Sequence, residues 1–268
     1  MGRRIYTCAM FMTDLYKSGL SKFIKAYGNY RSDYKTLKKL KGNNDDFALS
    51  NKRPQLMDRY QSAGSLKGGY FHQDLLIARR IFENKPLKHI DVGSLICGFV
   101  AHVASFREIT VIDIRPPEND VKNISFIQQD FMAELPEKLL ECCDSLSSLH
   151  ALEHFGLGRY GDPVNYYGHL VGLENLYKML QKGGTLYLSV PMGIPQRIEF
   201  NSHRIFSLKY LLKQIEGKFN LIRFSYVNDK GDLCENVDLT EENINSNFGV
   251  KGNGWEALAI FELEKSRF

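Results

Sequence analysis

Three aspartates stand where chemistry is expected of them. Asp91 closes KHID, Asp113 closes ITVID and Asp130 closes ISFIQQD. After the first comes VGSLICG, with Gly93, Ser94 and Gly98. A glycine lets a ligand come close to the backbone, and a helix start beside it offers unpaired N–H groups. Asp113 follows Gly93 by twenty residues, where a carboxylate can accept from both hydroxyls of a ribose. Asp130 follows by seventeen more, where an adenine edge is read, with Phe131 beside it to pack on the ring. A dinucleotide loop would show GxGxxG to cradle a pyrophosphate, but Leu95 and Cys97 stand here instead. The spacing therefore points to an adenosine ligand without phosphates, and S-adenosylmethionine (SAM) is the leading candidate.

A second set of polar residues lies further along. HALEHFGLGRYGDP, residues 150–163, holds His150, Glu153, His154, Arg159, Tyr160 and Asp162 among three glycines. VPMGIPQRIEFNSHRIFS, residues 190–207, holds Asn201, His203 and Arg204. Histidines and carboxylates are the groups that take a proton near neutral pH. His203 is the first candidate for a general base, His154 the second, and Glu153 stands beside it. His150 and Ala151, at a strand end, are expected against the cofactor. Arg159 and Arg204 suit a phosphate or carboxylate on an acceptor, with Tyr160, Asp162 and Asn201 lining the same side. Asp162 before Pro163 also fits a helix cap with proline at the first helical position. His169, inside the following helix, reads as structural. His150, His154, Asp162 and His203 together would make a metal set, but Gly156 and Gly158 interrupt any helix that would present it, and no metal is expected. In GGYFHQDL, Tyr70, Phe71 and Gln73 are candidates for a lid over the methionine end of the cofactor.

These residues need a frame. From residue 72 the chain alternates: helix HQDLLIARRIFEN, strand KHIDVG, helix GFVAHVAS, strands ITVIDIR and ISFIQQD, and a weaker strand at DSLSSL. Helix LVGLENLYKMLQKGG, strand TLYLSVP and helix SLKYLLKQIEG follow, the last with Ser207 as N-cap and Gly217 as stop. FNLIRFSYVN and WEALAIFELEK close the chain as strands with no helix-length pattern between them. Alternation predicts an α/β, doubly wound, Rossmann-like sheet: mostly parallel, seven-stranded, with an antiparallel C-terminal edge strand. Residues 1–65 differ: they are basic and tyrosine-rich, with Leu20, Phe23, Ile24, Tyr27, Tyr34, Leu37 and Leu40 near helical spacing and a break at Gly42-Asn43-Asn44. They read as an N-terminal helical appendage, and residues 66–268 as the cofactor-binding domain.

Bulk properties narrow the partners. The chain has 268 residues and a net charge of +4, mild enough that nucleic acid is not required. No apolar run reaches the length of a membrane span, and MGRRIYTCAMFM has too short an apolar run for a secretory signal. Five cysteines without a CxxC pair fit a reduced, cytoplasmic protein, with Cys142 and Cys143 filling space beside a strand. An oligomer is compatible with all of this.

HIDVGSLICG, VIDIR, QQDF, LQKGGTLYLSVP and the closing strands make the chain resemble a class I SAM-dependent methyltransferase over roughly residues 70–263. The resemblance implies that Asp91, Gly93, Ser94 and Gly98 meet the methionine part, that Asp113 with Ile114 holds the ribose, and that Asp130 and Phe131 hold the adenine. It implies SAM as cofactor and S-adenosylhomocysteine as product. Leu95 and Cys97 depart from the family's D-x-G-x-G-x-G loop. More narrowly, GGYFHQDL, HALEHFGLGRYGDP and SVPMG with FNSHRIFS resemble a bacterial subgroup catalogued as a domain of unknown function, encoded beside capsule and surface-polysaccharide genes. That implies a small-molecule acceptor, a hydroxyl of a sugar, sugar nucleotide or phosphorylated intermediate.

Other readings stay open at this point. An N or phosphoramidate-type acceptor is one. An NAD(P)-dependent sugar-nucleotide oxidoreductase or epimerase is another. It wants a Tyr-x-x-x-Lys pair, and Tyr34 with Lys38 and Tyr226 with Lys230 have that spacing outside any mid-domain helix. A non-catalytic scaffold that keeps the fold is a third.

Overall fold

The computed structural model describes residues 19–51, 53–253 and 257–267. The opening MGRRIYTCAMFM with Cys8, and Trp255 at the head of the last expected strand, lie outside the described residues. The chain divides after Ser65 into two compact units.

In the first unit, α1 runs Leu20–Lys41 and ends at Gly42, whose φ of 52° stops it. Lys38, Lys39 and Lys41 sit in the last turn, where they complement the helix dipole. The helix packs through Ala26, with Phe23 and Tyr30, against Leu56 and Met57. Leu20, Ile24, Leu37 and Leu40 from the apolar spacing are exposed.

The second unit is built on one mixed sheet. Its strands are β1 (His89–Val92), β2 (Ile109–Asp113), β3 (Ile124–Gln128), β4 (Cys143–Leu149), β5 (Leu180–Pro191), β8 (Phe219–Val227), β9 (Leu233–Cys234) and β10 (Leu258–Lys265). Their order is β3-β2-β1-β4-β5-β10-β8-β9. β1 to β5 are parallel to one another, and β10 runs antiparallel to both β5 and β8. The expected mostly parallel sheet is present, and two-residue β9 adds an eighth strand at its edge. The antiparallel C-terminal strand lies two places in from that edge. Leu258 to Leu263 are buried throughout, which only a strand covered on both faces and paired on both sides achieves.

β4 was the weakest strand in the sequence, yet it is central. Its serines explain the mismatch. Ser145 and Ser147 hydroxyls bond the His89 ring at 2.8 and 3.1 Å, Ser147 also donates to Asp91, and Ser148 donates to the Val92 carbonyl at 3.1 Å. A polar strand is stable in a core when each hydroxyl has a partner.

Helices cover the sheet: α2 (Gly69–Asn84), α3 (Ala101–Ala104, entered through a π-helical turn at Ile96–Val100), α4 (Gly168–Met179), α5 (Leu208–Ile215) and α6 (Glu241–Ser246). Ser207 caps α5 by accepting from the Tyr210 N–H at 3.3 Å. α4 ends at Met179 rather than at the glycines that follow, because Leu180 is already buried and pairs with Cys143 as the start of β5. After β5, the chain forms a hairpin of β6 (Arg197–Glu199) and β7 (His203–Ile205).

Candidate active site

The parallel strands all end on one side of the sheet, and there the loops after β1 to β5 enclose two adjoining cavities. The first, about 560 Å³, is lined by Gly93, Asp113, Ile114, Asp130, Phe131, His150 and Ala151, with Met132, His154, Tyr160 and Asp162. The second, about 1200 Å³, is lined by Tyr70, Ser94 to Cys97, Arg115, His150, Glu153, His154, Arg159, Tyr160 and His203.

Gly93 is the pivot of the first. Its φ is 74°, and a Cβ there would lie 2.9 Å from the Ala151 Cβ. No other residue fits that approach. Asp91 sets the turn from beneath. It is fully buried and accepts from the Ser94 N–H (3.0 Å), the Ser94 hydroxyl (2.6 Å) and the Ser147 hydroxyl (2.5 Å). Burial pushes its carboxyl up to about 6 against the pull of those three donors. Asp91 was expected to meet the ligand. It lines neither cavity, because its oxygens are engaged in holding the loop.

Gly98 and Gln73 need the same correction. Gly98 lies in the π-helical turn against the Asp74 carboxylate of α2, which occupies the space a Cβ would need. Gln73 is buried, accepts from the Ser189 hydroxyl and donates to Asp74 at 3.0 Å. Gln73 fastens α2 to β5, Gly98 lets the π-helical turn pack against α2, and neither lines a cavity. Phe71 packs edge-on against His72 and also lies outside the lining. Of the expected lid, Tyr70 alone reaches a cavity, stacked on the His150 ring at 4.5 Å. Burial, then the Glu153 charge, raises its hydroxyl to about 12.

At the β2 end, both Asp113 oxygens are held by Arg115: Oδ1 accepts from Nε at 3.2 Å and Oδ2 from Nη2 at 3.1 Å. After β3, Asp130 accepts from the Met132 N–H at 2.9 Å, and Asn175 fixes the Phe131 carbonyl at 2.8 Å. These carboxylates and the Phe131 ring share one cavity with Ile114 and Ala151, although they come from three strand ends.

The second cavity gathers the titratable groups. His150 has a φ of 52°, unusual for histidine, and is fixed by Tyr70 above and by Glu153 beside it, Nδ1 to Oε1 at 2.8 Å. Glu153 is fully buried. Burial would raise its carboxyl, but the His150 hydrogen bond and the His150 and His154 charges outweigh that and hold it below its usual value. Among the described residues its Oε2 and the His150 Nε2 are buried without a hydrogen-bond partner, two hydrogen-bonding positions at the cavity wall.

His154 lies between two elements. Its Nδ1 donates to the Ser202 carbonyl at 2.6 Å, which leaves the lone pair on Nε2, and Nε2 lies 3.6 Å from Glu153 Oε1. Burial lowers its pKa, with Glu153 opposing. His203, at the start of β7, meets the Ser202 hydroxyl at 2.8 Å and is lowered by burial as well. His150, Glu153, His154 and His203 thus converge. Among the described residues no group of three or more His, Cys, Asp or Glu is arranged to hold a metal ion.

The expected acceptor contacts divide. Arg159 is exposed in the second cavity and donates to the Ser202 carbonyl at 3.0 Å; Tyr160 lines both cavities. Asp162 borders the first cavity, but its oxygens accept from the Gly156, Gly158 and Tyr160 N–H groups at 2.8, 3.2 and 3.2 Å. It ties the loop to itself. It does not cap α4, which starts at Gly168. Arg204 is buried and donates to the carbonyls of Glu153, Phe155, Asn165 and Tyr166. A guanidinium so committed cannot grip an acceptor. Asn201 is exposed in the β6–β7 turn, outside both linings. His169 bonds the Tyr210 hydroxyl at 2.7 Å, the structural part expected of it.

Three residues at the site were not singled out in the sequence. Arg115 had a signal, a cation two residues past a strand-end acid. Ser147 had a weak one, a serine at alternate spacing in a buried strand. Ser202 had none, because it acts on His154 through its backbone.

A family model described as Caenorhabditis protein of unknown function, DUF268, matches residues 99–251. No curated protein matches the sequence. Among solved structures, the 1,6-didemethyltoxoflavin-N1-methyltransferase of Burkholderia thailandensis, crystallised with 1,6-didemethyltoxoflavin and S-adenosylhomocysteine, aligns over 72% of this chain and 78% of its own. The identity is 13% and the TM-score 0.51. The N-methyltransferase NodS of Bradyrhizobium japonicum WM9, in complex with S-adenosylhomocysteine, aligns over 87% and 97% at 12% identity and a TM-score of 0.49. The fold of the second unit is that of the class I SAM-dependent methyltransferases.

Proposed function

Since the chain belongs to the DUF268 family, whose model spans more than half of it, and has this fold, we propose that it is a SAM-dependent methyltransferase. The observation that carries the reading is the first cavity, where Gly93, Asp113, Asp130 and Phe131 meet at the ends of three parallel strands. Asp113 would accept from the ribose hydroxyls, and Asp130 with Phe131 would hold the adenine. Tyr70 and His150, with the backbone of the Gly93–Ser94 turn as the wall between them, would enclose the methionine part. The bound cofactor supplies an electrophilic methyl group. The loop favours this ligand over a dinucleotide, since exposed Leu95, Ile96 and Cys97 border the second cavity where the loop of a pyrophosphate site would require glycine.

A hydroxyl acceptor must lose a proton as it attacks. His154 is our choice for the group that takes it. The Ser202 carbonyl fixes the proton on Nδ1, so Nε2 is the basic atom, and Glu153 at 3.6 Å stabilises the imidazolium that forms. His203 in the same cleft is the alternative base. The narrower acceptor, a sugar or phosphorylated sugar hydroxyl of a surface polysaccharide, rests on the resemblance of GGYFHQDL and HALEHFGLGRYGDP.

Calorimetric titration with S-adenosylhomocysteine tests the cofactor. Binding is expected in the micromolar range, and no heat at about 1 mM ligand would refute the reading. Mass spectrometry of products from candidate activated sugars then tests the acceptor.

A further inference from the structure

Arg115 and Arg159 converge on one ring. Their guanidinium carbons lie 4.0 and 5.1 Å from the centroid of Tyr160, and all three residues line the second cavity. Two cations gathered on one aromatic ring at the mouth of a cleft suit an oxyanion. In this structure they are not equally available. Arg159 is engaged through Nη1, which donates to the Ser202 carbonyl at 3.0 Å and lies 3.4 Å from His154 Nδ1. Arg115 grips Asp113 with two side-chain nitrogens, and its backbone N–H binds the same carboxylate at 2.8 Å. Those are the oxygens that the proposed ribose contact requires.

Both cannot be satisfied at once. The Arg115 side chain is 54% exposed, and an ion pair with so much access to water is weak enough for ligand hydroxyls to displace. Pro116 and Pro117 follow directly, and their rings fix φ and stiffen the backbone there, so the guanidinium can move while its Cα stays. Once released it remains beside Tyr160, near Arg159.

We propose that Arg115 is a latch. It occupies the ribose-binding carboxylate Asp113 until the cofactor displaces it, and the freed guanidinium then joins Arg159 in holding an oxyanion, phosphate or carboxylate, on the methyl acceptor. Cofactor and acceptor bind in that order, and the acceptor is anionic. The inference rests on the methyltransferase reading of the same site.

Calorimetry on the full chain tests it with pyrophosphate and malonate as probes, each titrated with and without saturating S-adenosylhomocysteine. At least one probe is expected to bind about fivefold or more tighter to the saturated protein, with the converse coupling equal by linkage. The probe that gains more names the anion. Arg159→Ala is expected to weaken that probe about tenfold. Arg115→Ala carries the sharper sign: it unmasks Asp113, so S-adenosylhomocysteine should bind about threefold tighter while the coupling to the probe disappears. Both side chains are exposed, and a melting curve checks that the variants fold. Probe affinities that ignore the cofactor, or weaker cofactor binding in Arg115→Ala, would overturn the latch while leaving the methyltransferase reading intact. Wild-type protein that binds no S-adenosylhomocysteine would refute both.

Discussion

At the ends of β1, β2 and β3 a polar side chain leaves a strand whose pleat has already set its direction. In the loops after β4 and β5 it leaves a chain whose path is made by its own hydrogen bonds. Asp113, the last residue of β2, illustrates the first case, and Asp130, two residues past the end of β3, borders the same cavity because parallel neighbours end together. Arg204 and Asp162 illustrate the second. Each has the chemistry of an acceptor contact, and each is engaged by backbone groups of the loop after β4: Arg204, from β7 of the hairpin after β5, by its carbonyls and Asp162 by its N–H groups. A functional residue type in a loop can therefore be part of the loop's construction, and the sequence does not distinguish the two uses.

The largest expected effect breaks the loop side at its chemistry. His154→Ala should lower turnover by about 100- to 1000-fold while S-adenosylhomocysteine affinity changes by less than about threefold. His203→Ala should cost clearly less, and the reverse order would move the proton to His203. The pH profile adds a sign. Burial lowers the His154 pKa and the Glu153 charge raises it, so activity should fall as pH drops through a value below the ordinary histidine range. Glu153→Gln removes the opposing charge and should move that acidic limb to lower pH. A limb that stays in place would detach Glu153 from His154.

Gly93→Ala breaks the strand side. The new Cβ meets Ala151 in a left-handed backbone. Affinity for S-adenosylhomocysteine should fall about 100-fold, and stability by about 2–3 kcal/mol, measured by calorimetry and denaturant titration. Arg204→Met, on the loop side, leaves four carbonyls without their donor and should cost about 2–4 kcal/mol. Asn201→Ala, three residues away and exposed, should change stability by less than about 0.5 kcal/mol. Equal losses in the last two would mean that Arg204 does not hold the loop.

The order of elements was legible because apolar periodicity and strand–helix alternation are properties of the chain itself. The interior position of β10 was harder to read. Nothing local in LAIFELEK fixes its neighbours, although its near-continuous apolar run is that of a strand covered on both faces. Asp91 shows a finer limit. Its place at the end of β1 was read from the sequence, but its direction, down toward Ser147 of β4, follows from a strand pairing that sequence spacing does not encode. Ser202 marks the far end of that scale, since its carbonyl would orient His154 equally well with many other side chains at position 202.

The most gradual effect, spread over several pH units, concerns the support under the strand side. His89 is buried between the Ser145 and Ser147 hydroxyls, and burial lowers its pKa from 6.5 to about 3. The fold therefore keeps the ring neutral, whereas the unfolded chain takes up a proton below about pH 6.5. Its contribution to stability is fully present above that pH and is lost as pH falls toward 3. Asp91 runs the other way. Its carboxyl is raised from 3.8 to about 6, so its contribution is fully present below 3.8 and is lost as pH rises through about 6. Ser147 bonds both groups, and in the window where both titrate their slopes oppose. Comparing wild type with His89→Gln isolates one of them. The variant should gain on the wild type by about 1.4 kcal/mol for each pH unit below about 6.5, read from urea titrations at successive pH values. A constant difference across that range would mean that the ring is protonated in the fold, and that the β1–β4 serines do not hold a neutral histidine beneath the Gly93 turn.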